Sequence, residues 1–222
     1  MSRWGAIFDF DGVVVDSADH HELCWKMVAE EFGGKLSHEQ FLAGFGVKNG
    51  RFISEILGWT DDPEIIDGFA KRKEELFQEH IKTVKIDLIP GLEGFLQKLH
   101  EQKIPCAIAS SSILKNIELV LQNSPAKPFF SKIVSGEDVT EGKPSPQCFL
   151  EAAKRLDLPP ERTVVFEDAL LGVEAAKRAG AFCVALTTTF PKERFQELAY
   201  MPELVVKSFL ELNPDRIDSW FQ

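Results

Sequence analysis

Six short apolar runs constrain the fold of this 222-residue chain more than any other feature of its sequence. Each run is almost continuously apolar, which is typical of parallel strands that helices cover on both faces of a sheet. Strands that are exposed on one face would instead alternate between apolar and polar residues. The runs are GAIFDF from Gly5, PCAIAS from Pro105, KIVSG from Lys132, TVVFED from Thr163, FCVALT from Phe182 and LVVK from Leu204.

Helical patterns lie between most of these runs. Amphipathic stretches begin at Gly91, Pro146 and Asp168, and the last of them ends at Gly180, a residue type that is favoured just after a helix. Strand and helix in repeated alternation predict an α/β fold with a doubly wound parallel sheet. We therefore expect a Rossmann-like core with helices on both faces of the sheet.

Residues 17–86 interrupt this alternation. The stretch contains helical patterns but no convincing strand, and its charge-rich part at residues 70–80 is expected to form a solvated helix face. We therefore predict a core domain of residues 1–16 and 87–222 and an inserted helical domain of residues 17–86. The helical patterns of the insert are His20–Phe32, Ser37–Gly44, Arg51–Leu57 and Asp62–Ile81.

The charge and the cysteines limit the partners and the compartment. A net charge of −10 argues against nucleic acid and anionic membranes as partners, because both repel an acidic protein. The sequence shows no secretory leader and no apolar run that is long enough to cross a bilayer. Four cysteines lie far apart without a CxxC pair, so we expect buried, reduced thiols in a cytoplasmic protein. They are Cys24, Cys106, Cys148 and Cys183.

Acidic residues stand where two of the predicted strands end. Asp9 and Asp11 close the first run, and Glu167 and Asp168 close the fourth. In an open parallel sheet, ligands bind beyond the carboxyl ends of the strands, so these four carboxylates are expected to meet at one rim. Buried carboxylates that lie close together repel each other and need a cation. The cluster therefore predicts a Mg²⁺ site, since Mg²⁺ prefers carboxylates, waters and phosphate oxygens.

Two other strand ends supply groups that suit a phosphate. Lys143, in the loop after the third run, offers a fixed positive charge. Ser110 and Ser111, after the second run, offer hydroxyl and backbone N–H groups at the start of a helix. A carboxylate that faces a phosphoryl group held in this way can attack it, and a second acid can protonate the leaving oxygen and then activate water. We therefore expect Asp9 to be the nucleophile and Asp11 the general acid and base.

Four motifs and their order point to a family. The segments DFDGVVVDS, ASSS, EGKPSP and VFEDALLG resemble the motifs of the haloacid dehalogenase (HAD) superfamily. More narrowly, they resemble those of its subfamily I branch, which contains β-phosphoglucomutases and sugar phosphatases. The resemblance covers essentially the whole chain. It implies a HAD core with an inserted helical cap, which would be the domain of residues 17–86.

The resemblance also implies a role for each motif residue. Asp9 would be the nucleophile, Asp11 the general acid and base, and Ser110 a ligand of the transferring phosphate. Lys143 would pair with both that phosphate and Asp9. A Mg²⁺ ion would be held by the backbone carbonyl of Asp11 and the side chains of Asp9, Glu167 and Asp168.

The cap sequence separates a phosphatase from a mutase. Mutases of this branch carry a lysine just before the glycine that matches Gly46 and an arginine three residues after it. Phe45 and Asn49 occupy those positions here, and Lys48 and Arg51 lie close by in a different register. These departures put the second phosphate site of a mutase in doubt and favour hydrolysis.

A histidine of the cap completes the set of candidate substrate contacts. His21 falls where mutases carry a histidine at the hinge to the cap, but phosphatases of this branch carry one there too, so it does not discriminate between them. The four candidate contacts in the cap are therefore His21, Lys48, Asn49 and Arg51.

These features predict a Mg²⁺-dependent phosphatase that hydrolyses a small phosphate monoester, a sugar or polyol phosphate, through an aspartyl-phosphate. A β-phosphoglucomutase-type mutase with the same core is the alternative. A phospho-receiver signalling module is a remote one, because receivers carry the phosphorylated aspartate on a later strand. We expect a monomer, since one chain forms the whole site.

Overall fold

A six-stranded parallel sheet lies at the centre of the structure, a computed structural model that describes residues 4–221. The strands follow the order β3-β2-β1-β4-β5-β6, and every neighbouring pair is parallel. All six predicted strands are confirmed. They are β1 Gly5–Phe8, β2 Cys106–Ala109, β3 Phe130–Val134, β4 Thr163–Glu167, β5 Phe182–Leu186 and β6 Leu204–Val206.

The insert after β1 is helical, as predicted. Its helices are α1 Ala18–Glu31, α2 His38–Gly44, α3 Asn49–Arg51, which continues into a π-helical turn at Phe52–Ile56, and α4 Pro63–His80. Local sequence explains two of these helix starts. The side chain of Ser37 accepts a hydrogen bond from the backbone of Gln40 in a capping box, and Asp62 caps α4 just before Pro63.

The connections to the insert run side by side. The backbone N–H of Asp16 donates to the carbonyl of Asp87 over 2.9 Å, and Val15 forms an isolated antiparallel bridge with Leu88. The domain boundaries at residues 16/17 and 86/87 stay a prediction, and these contacts lie next to both of them.

Helices cover both faces of the sheet. The helices of the core are α5 Leu92–Glu101, α6 Leu114–Leu121, α7 Gln147–Arg155, α8 Leu170–Arg178, α9 Lys192–Gln196 and α10 Pro214–Asp218. Alternate residues of β1 face opposite layers: Phe8 belongs to the core cluster with Phe95 of α5, and Ile7 to the cluster with Phe149 of α7. The end of α8 is as predicted, with Gly180 at a φ of +83°.

An aromatic cluster beneath the two central strands places the residues that follow them. Phe8 pairs with Phe166 in the register of β1 and β4, and their rings stack with centroids 4.6 Å apart. Phe95 and Phe209 pack against Phe166 at 5.4 and 5.6 Å. Asp9 follows Phe8, and Glu167 follows Phe166, so this packing brings two carboxylates to the same level of the sheet.

The predicted burial of the four cysteines is confirmed. All four cysteines are buried and unpaired. Within residues 4–221, no helix combines the length and apolar character that crossing a membrane requires.

Phe166→Ala is expected to lower the free energy of unfolding by about 3–5 kcal/mol, because it removes a fully buried ring from the aromatic cluster. Urea denaturation followed by circular dichroism measures this change. Met201→Ala is the control, since Met201 is 56% exposed and should change the value by less than about 0.5 kcal/mol. Equal effects of the two substitutions would contradict the assignment of Phe166 to the centre of the core.

Candidate active site

A buried lysine joins the ends of the two central strands. The Nζ atom of Lys143 lies 2.7 Å from Oδ2 of Asp9 and 2.5 Å from Oε1 of Glu167. All three side chains are at most 5% exposed. Burial alone would lower the pKa of Lys143, but the charges of Asp9 and Glu167 hold it above its ordinary value. The lysine therefore carries a fixed positive charge between two carboxylates.

Three carboxylates surround a point that needs more positive charge than Lys143 supplies. Carboxylate oxygens of Asp9, Glu167 and Asp168 lie within 4.8 Å of one another. Burial raises the pKa of Asp9 to about 7, with Glu167 adding to the rise and Lys143 opposing it. Burial and the charges of Glu167 and Asp9 also raise the pKa of Asp168 well above its usual range.

The hydrogen bonds of this trio leave one oxygen without a partner. The hydroxyl of Thr189 donates to Oδ2 of Asp168, and the N–H groups of Asp168 and Ala169 donate to Oε2 of Glu167. The other oxygen of Asp168, Oδ1, is buried and has no hydrogen-bond partner among the described residues. An unpaired buried carboxylate oxygen is costly, and a divalent cation would satisfy it.

Two glycines allow the backbone to approach these carboxylates. A Cβ atom on Gly172 would lie 1.7 Å from Oε1 of Glu167, and one on Gly12 would lie 2.0 Å from Oδ2 of Asp168. Gly12 also adopts a φ of +75°, which other residues rarely adopt. The positions of both carboxylates therefore depend on the absence of a side chain nearby.

Asp11 lies beside Asp9 and is held by three donors. Ser17 donates to Oδ1 over 2.6 Å, Nε2 of His21 contacts the same oxygen at 2.9 Å, and Ser112 donates to Oδ2 over 2.5 Å. Burial alone would raise the pKa of Asp11, but His21 and the two hydroxyls hold it below its ordinary value. The ring of His21 stacks on Phe77 of α4 at 4.1 Å, which links Asp11 to the insert.

The three serines after β2 have different contacts. Ser110 is buried, and its hydroxyl accepts the N–H of Ser112 over 3.0 Å. The hydroxyl of Ser111 donates to the carbonyl of Gly46 in the insert over 2.8 Å. Ser110 and Ser111 both line the cavity that contains Asp9 and Asp11. That they contact the phosphate stays a prediction.

Only part of the predicted cap set reaches this cavity. His21 and Asn49 line it. Lys48 instead donates to the carbonyl of Val139 over 2.5 Å, and Nη1 of Arg51 donates to the carbonyl of Lys143 over 3.1 Å. Lys48 and Arg51 thus bind the core backbone in this conformation, and the prediction that they contact substrate stays untested.

The cavity lies between the core rim and the insert. Its floor contains Asp9, Asp11 and Ser110 to Ser112, and its volume is about 60 Å³. This volume is smaller than that of a cavity that binds benzene, about 150 Å³, so the insert lies close to the core in this conformation. Residues of the insert that face the floor form what we call the cavity roof: Trp25, Asn49, Phe52, Lys73 and Glu74.

Several residues around the site were not predicted from the sequence. Ser17, Ser112 and Thr189 contact predicted acids, and Ser112 and Thr189 each belong to a run of hydroxyl residues after a strand, which was the available signal. Lys73 and Glu74 line the roof with side chains that are 5% and 14% exposed. The prediction of a solvated face for residues 70–80 is therefore wrong at these two positions, because helix α4 turns them towards α1 and the core.

The chain is similar to known hydrolases in both sequence and structure. The haloacid dehalogenase-like hydrolase family matches residues 6–186. A crystal structure of a HAD hydrolase, family IA, variant 3, from Entamoeba histolytica superposes with a TM-score of 0.88 at 26% identity, over 100% of this chain and 99% of that chain.

Two named relatives carry different activities. A 5-amino-6-(5-phospho-D-ribitylamino)uracil phosphatase from Arabidopsis thaliana is 37% identical over 94% of this chain, which spans 55% of that protein. The β-phosphoglucomutase of Bacillus subtilis is 32% identical over 81% of each chain.

The chain belongs to the haloacid dehalogenase-like hydrolases, in the β-phosphoglucomutase-like branch of subfamily I. The predicted family and fold are therefore confirmed. The family and the phosphatases among its relatives support the expected class of enzyme, a phosphoric monoester hydrolase.

Gly172→Ala is expected to weaken Mg²⁺ binding by about tenfold or more, because the new methyl group would displace the carboxylate of Glu167. Isothermal titration calorimetry with MgCl₂ measures the affinity. Gly94→Ala is the matched control, since a Cβ atom on Gly94 would meet nothing within 4 Å. An unchanged affinity in Gly172→Ala would remove Glu167 from the metal site.

Proposed function

We propose that this protein is a Mg²⁺-dependent phosphatase that hydrolyses a sugar or polyol phosphate through an aspartyl-phosphate on Asp9. One observation carries the proposal: Asp9 contacts Lys143 at 2.7 Å inside a trio of carboxylates, at the floor of a cavity that also contains Asp11. A nucleophile, a fixed cation and a second acid are the groups that phosphoryl transfer through a carboxylate requires.

The acid trio fits a Mg²⁺ ion. The side chains of Asp9, Glu167 and Asp168 would hold the ion together with the backbone carbonyl of Asp11, and the unpartnered Oδ1 of Asp168 supports this assignment. When bound, Mg²⁺ would offset the negative charge of the trio and of the phosphoryl oxygens.

In the first half of the reaction, Asp9 attacks phosphorus. A bond forms between a carboxylate oxygen of Asp9 and phosphorus, and the bond between phosphorus and the ester oxygen breaks. Lys143 offsets the charge on the transferring group, and Ser110 donates to one of its oxygens. Asp11 is ionised in the free site, so it must take up a proton from solvent as the phosphate ester binds, and it then gives this proton to the leaving alcohol.

In the second half, water releases the phosphate. Asp11, now a carboxylate, takes a proton from water as the water oxygen bonds to phosphorus and the bond from phosphorus to Asp9 breaks. The hydrogen bonds from Ser17, His21 and Ser112 stabilise this ionised form. The step returns inorganic phosphate, free Asp9 and a protonated Asp11.

Closure of the insert over the core excludes bulk water and aligns the substrate. Three hydrogen bonds from Lys48, Arg51 and Ser111 join the two parts through backbone carbonyls. Lys48 and Arg51, the two cations predicted to contact substrate, therefore bind the core backbone and do not line the cavity. This supports hydrolysis over a mutase reaction, because a mutase needs a second phosphate site.

The proposal also covers the binding partners, the cellular compartment and the oligomeric state of the protein. The partner is a small phosphate ester, and nucleic acids and membranes are not expected to bind, because the protein has a net charge of −10. Four unpaired thiols favour a reducing compartment such as the cytoplasm. We propose a monomer, since residues of one chain form both the floor and the roof of the cavity.

Asp9→Asn is expected to reduce release of inorganic phosphate by at least about a thousandfold, because the amide cannot form the covalent intermediate. Phosphorus NMR with Mg²⁺ follows a panel of sugar and polyol phosphates, including β-glucose 1-phosphate primed with a trace of the 1,6-bisphosphate. Asp61→Asn is the control, since Asp61 is exposed on the insert. Glucose 6-phosphate without inorganic phosphate would contradict a phosphatase in favour of a mutase, and full activity of Asp9→Asn would contradict the nucleophile.

Asp11→Asn is expected to lower turnover of a sugar phosphate by about a hundredfold or more, because both proton transfers are lost. With acetyl phosphate, whose leaving group needs no proton, the first half should still proceed and leave the phosphoryl group on Asp9. Intact-protein mass spectrometry would then detect a phosphorylated chain in Asp11→Asn and not in Asp9→Asn/Asp11→Asn. Wild-type turnover in Asp11→Asn would exclude the acid and base role.

A further inference from the structure

The cavity roof carries a buried carboxylate that the proposed mechanism does not use. Glu74 of α4 is 14% exposed and lines the cavity that contains Asp9 and Asp11. A leaving group that extends from the floor towards the roof can therefore reach this carboxylate. Glu74 is in position to select what the far end of the substrate carries.

Three donors fix the Glu74 carboxylate in its ionised form. Asn49 donates to Oε1 over 2.6 Å, and Nζ of Lys73 lies 3.1 Å from the same oxygen. Asn116 of α6, which is 2% exposed, donates to Oε2 over 2.5 Å. Burial alone would raise the pKa of Glu74, but Lys73, Asn49 and Asn116 are among the groups that hold it below its ordinary value. The roof thus keeps an ionised carboxylate at neutral pH.

The roof offers little free positive charge to balance a second anion. Lys73 is paired with Glu74, and its Nζ lies over the rings of Phe77 and Trp25 at 5.2 and 5.9 Å. Lys48 and Arg51 donate to carbonyls of the core backbone. A phosphate at the far end of a substrate would therefore meet a fixed carboxylate whose nearest cation is already paired.

We propose that Glu74 determines specificity by accepting a hydrogen bond from a hydroxyl group at the far end of the substrate and by repelling a second phosphate there. The natural substrate is then a monophosphate of a polyhydroxy compound whose far end carries no negative charge. This inference rests on the proposed function and deepens it.

Glu74 would discriminate between substrates because a hydroxyl group and a phosphate at the far end interact differently with a carboxylate. A carboxylate can accept about four hydrogen bonds, and three are occupied, so one acceptor position remains for a hydroxyl group. A second phosphate would place like charges a few ångströms apart at a partly buried site, where their repulsion is screened less than in bulk water. Specificity would thus combine an attractive contact with a repulsive one.

Binding to a variant without turnover tests this proposal. In Asp9→Asn with Mg²⁺, isothermal titration calorimetry compares glucose 6-phosphate with glucose 1,6-bisphosphate. Either phosphate of the bisphosphate can occupy the floor, and the other must then face the roof. We expect the monophosphate to bind about tenfold tighter, and addition of Glu74→Gln to reduce that ratio to about one or below.

Two control variants separate the charge of Glu74 from other effects. Glu75→Gln makes the same charge change one residue along α4, where the side chain is exposed and pairs with Arg72, so the ratio should not change. Asn116→Ala removes a contact between the insert and the core but keeps the Glu74 charge, so both ligands should weaken alike. A purely structural role for Glu74 would make Glu74→Gln behave like Asn116→Ala.

Several results would overturn the proposal. Tighter or equal binding of the bisphosphate with Glu74 present would do so, as would a ratio that Glu74→Gln leaves unchanged, or no binding of either ligand. The proposed function is tested separately by wild-type hydrolysis of acetyl phosphate, which is too short to reach the roof. Hydrolysis with an unchanged binding ratio would reject the role of Glu74 alone, and no hydrolysis with the expected ratio would reject the phosphatase alone.

Discussion

The ion pair of Lys143 with Asp9 and Glu167 is the interaction on which the rest of the site depends. Each of these charges is buried and would be costly if it were left unpaired. The strands β1 and β4 bring the two acids to one level through the pairing of Phe8 with Phe166, and the loop after β3 delivers the lysine. One lysine is insufficient for the whole trio of carboxylates, so the same packing that creates the site also creates its demand for a divalent cation.

The insert closes this site through contacts that can be broken. Lys48, Arg51 and Ser111 each donate to a backbone carbonyl across the boundary. The net contribution of such a bond is about 1 kcal/mol for the neutral donor Ser111 and about 1.5–3 kcal/mol for each charged donor, because water replaces the partner on opening. A dry apolar interface of the same extent would resist separation more strongly. Closure that is firm but reversible suits a cavity of about 60 Å³, which must open for each substrate and product.

Much of the fold and of the cavity floor was predictable from the sequence. Continuous apolar runs and amphipathic periods are local signals, and they identified all six strands and the helices of the insert. A helix was expected to start after the second run, but Asn116 of α6, which donates to Glu74 of the roof, was not singled out. Lys73 and Glu74 were assigned to a solvated face, because a charged helix segment looks the same whether its charges meet water or each other. Ser110 and Ser111 were predicted as site residues but Ser112 was not, since the sequence alone does not distinguish three consecutive serines before the turn is folded.

The sequence by itself determined which residues stand at the carboxyl ends of the strands, and therefore that Asp9, Asp11, Lys143, Glu167 and Asp168 would converge. Strand ends are set by local patterns, and a parallel sheet aligns them without further information. Only the tertiary structure decided which side chains of the insert face those acids. That choice depends on the rotation of α4 about its axis and on the loop that carries Lys48, both of which are set by contacts between residues far apart in the chain.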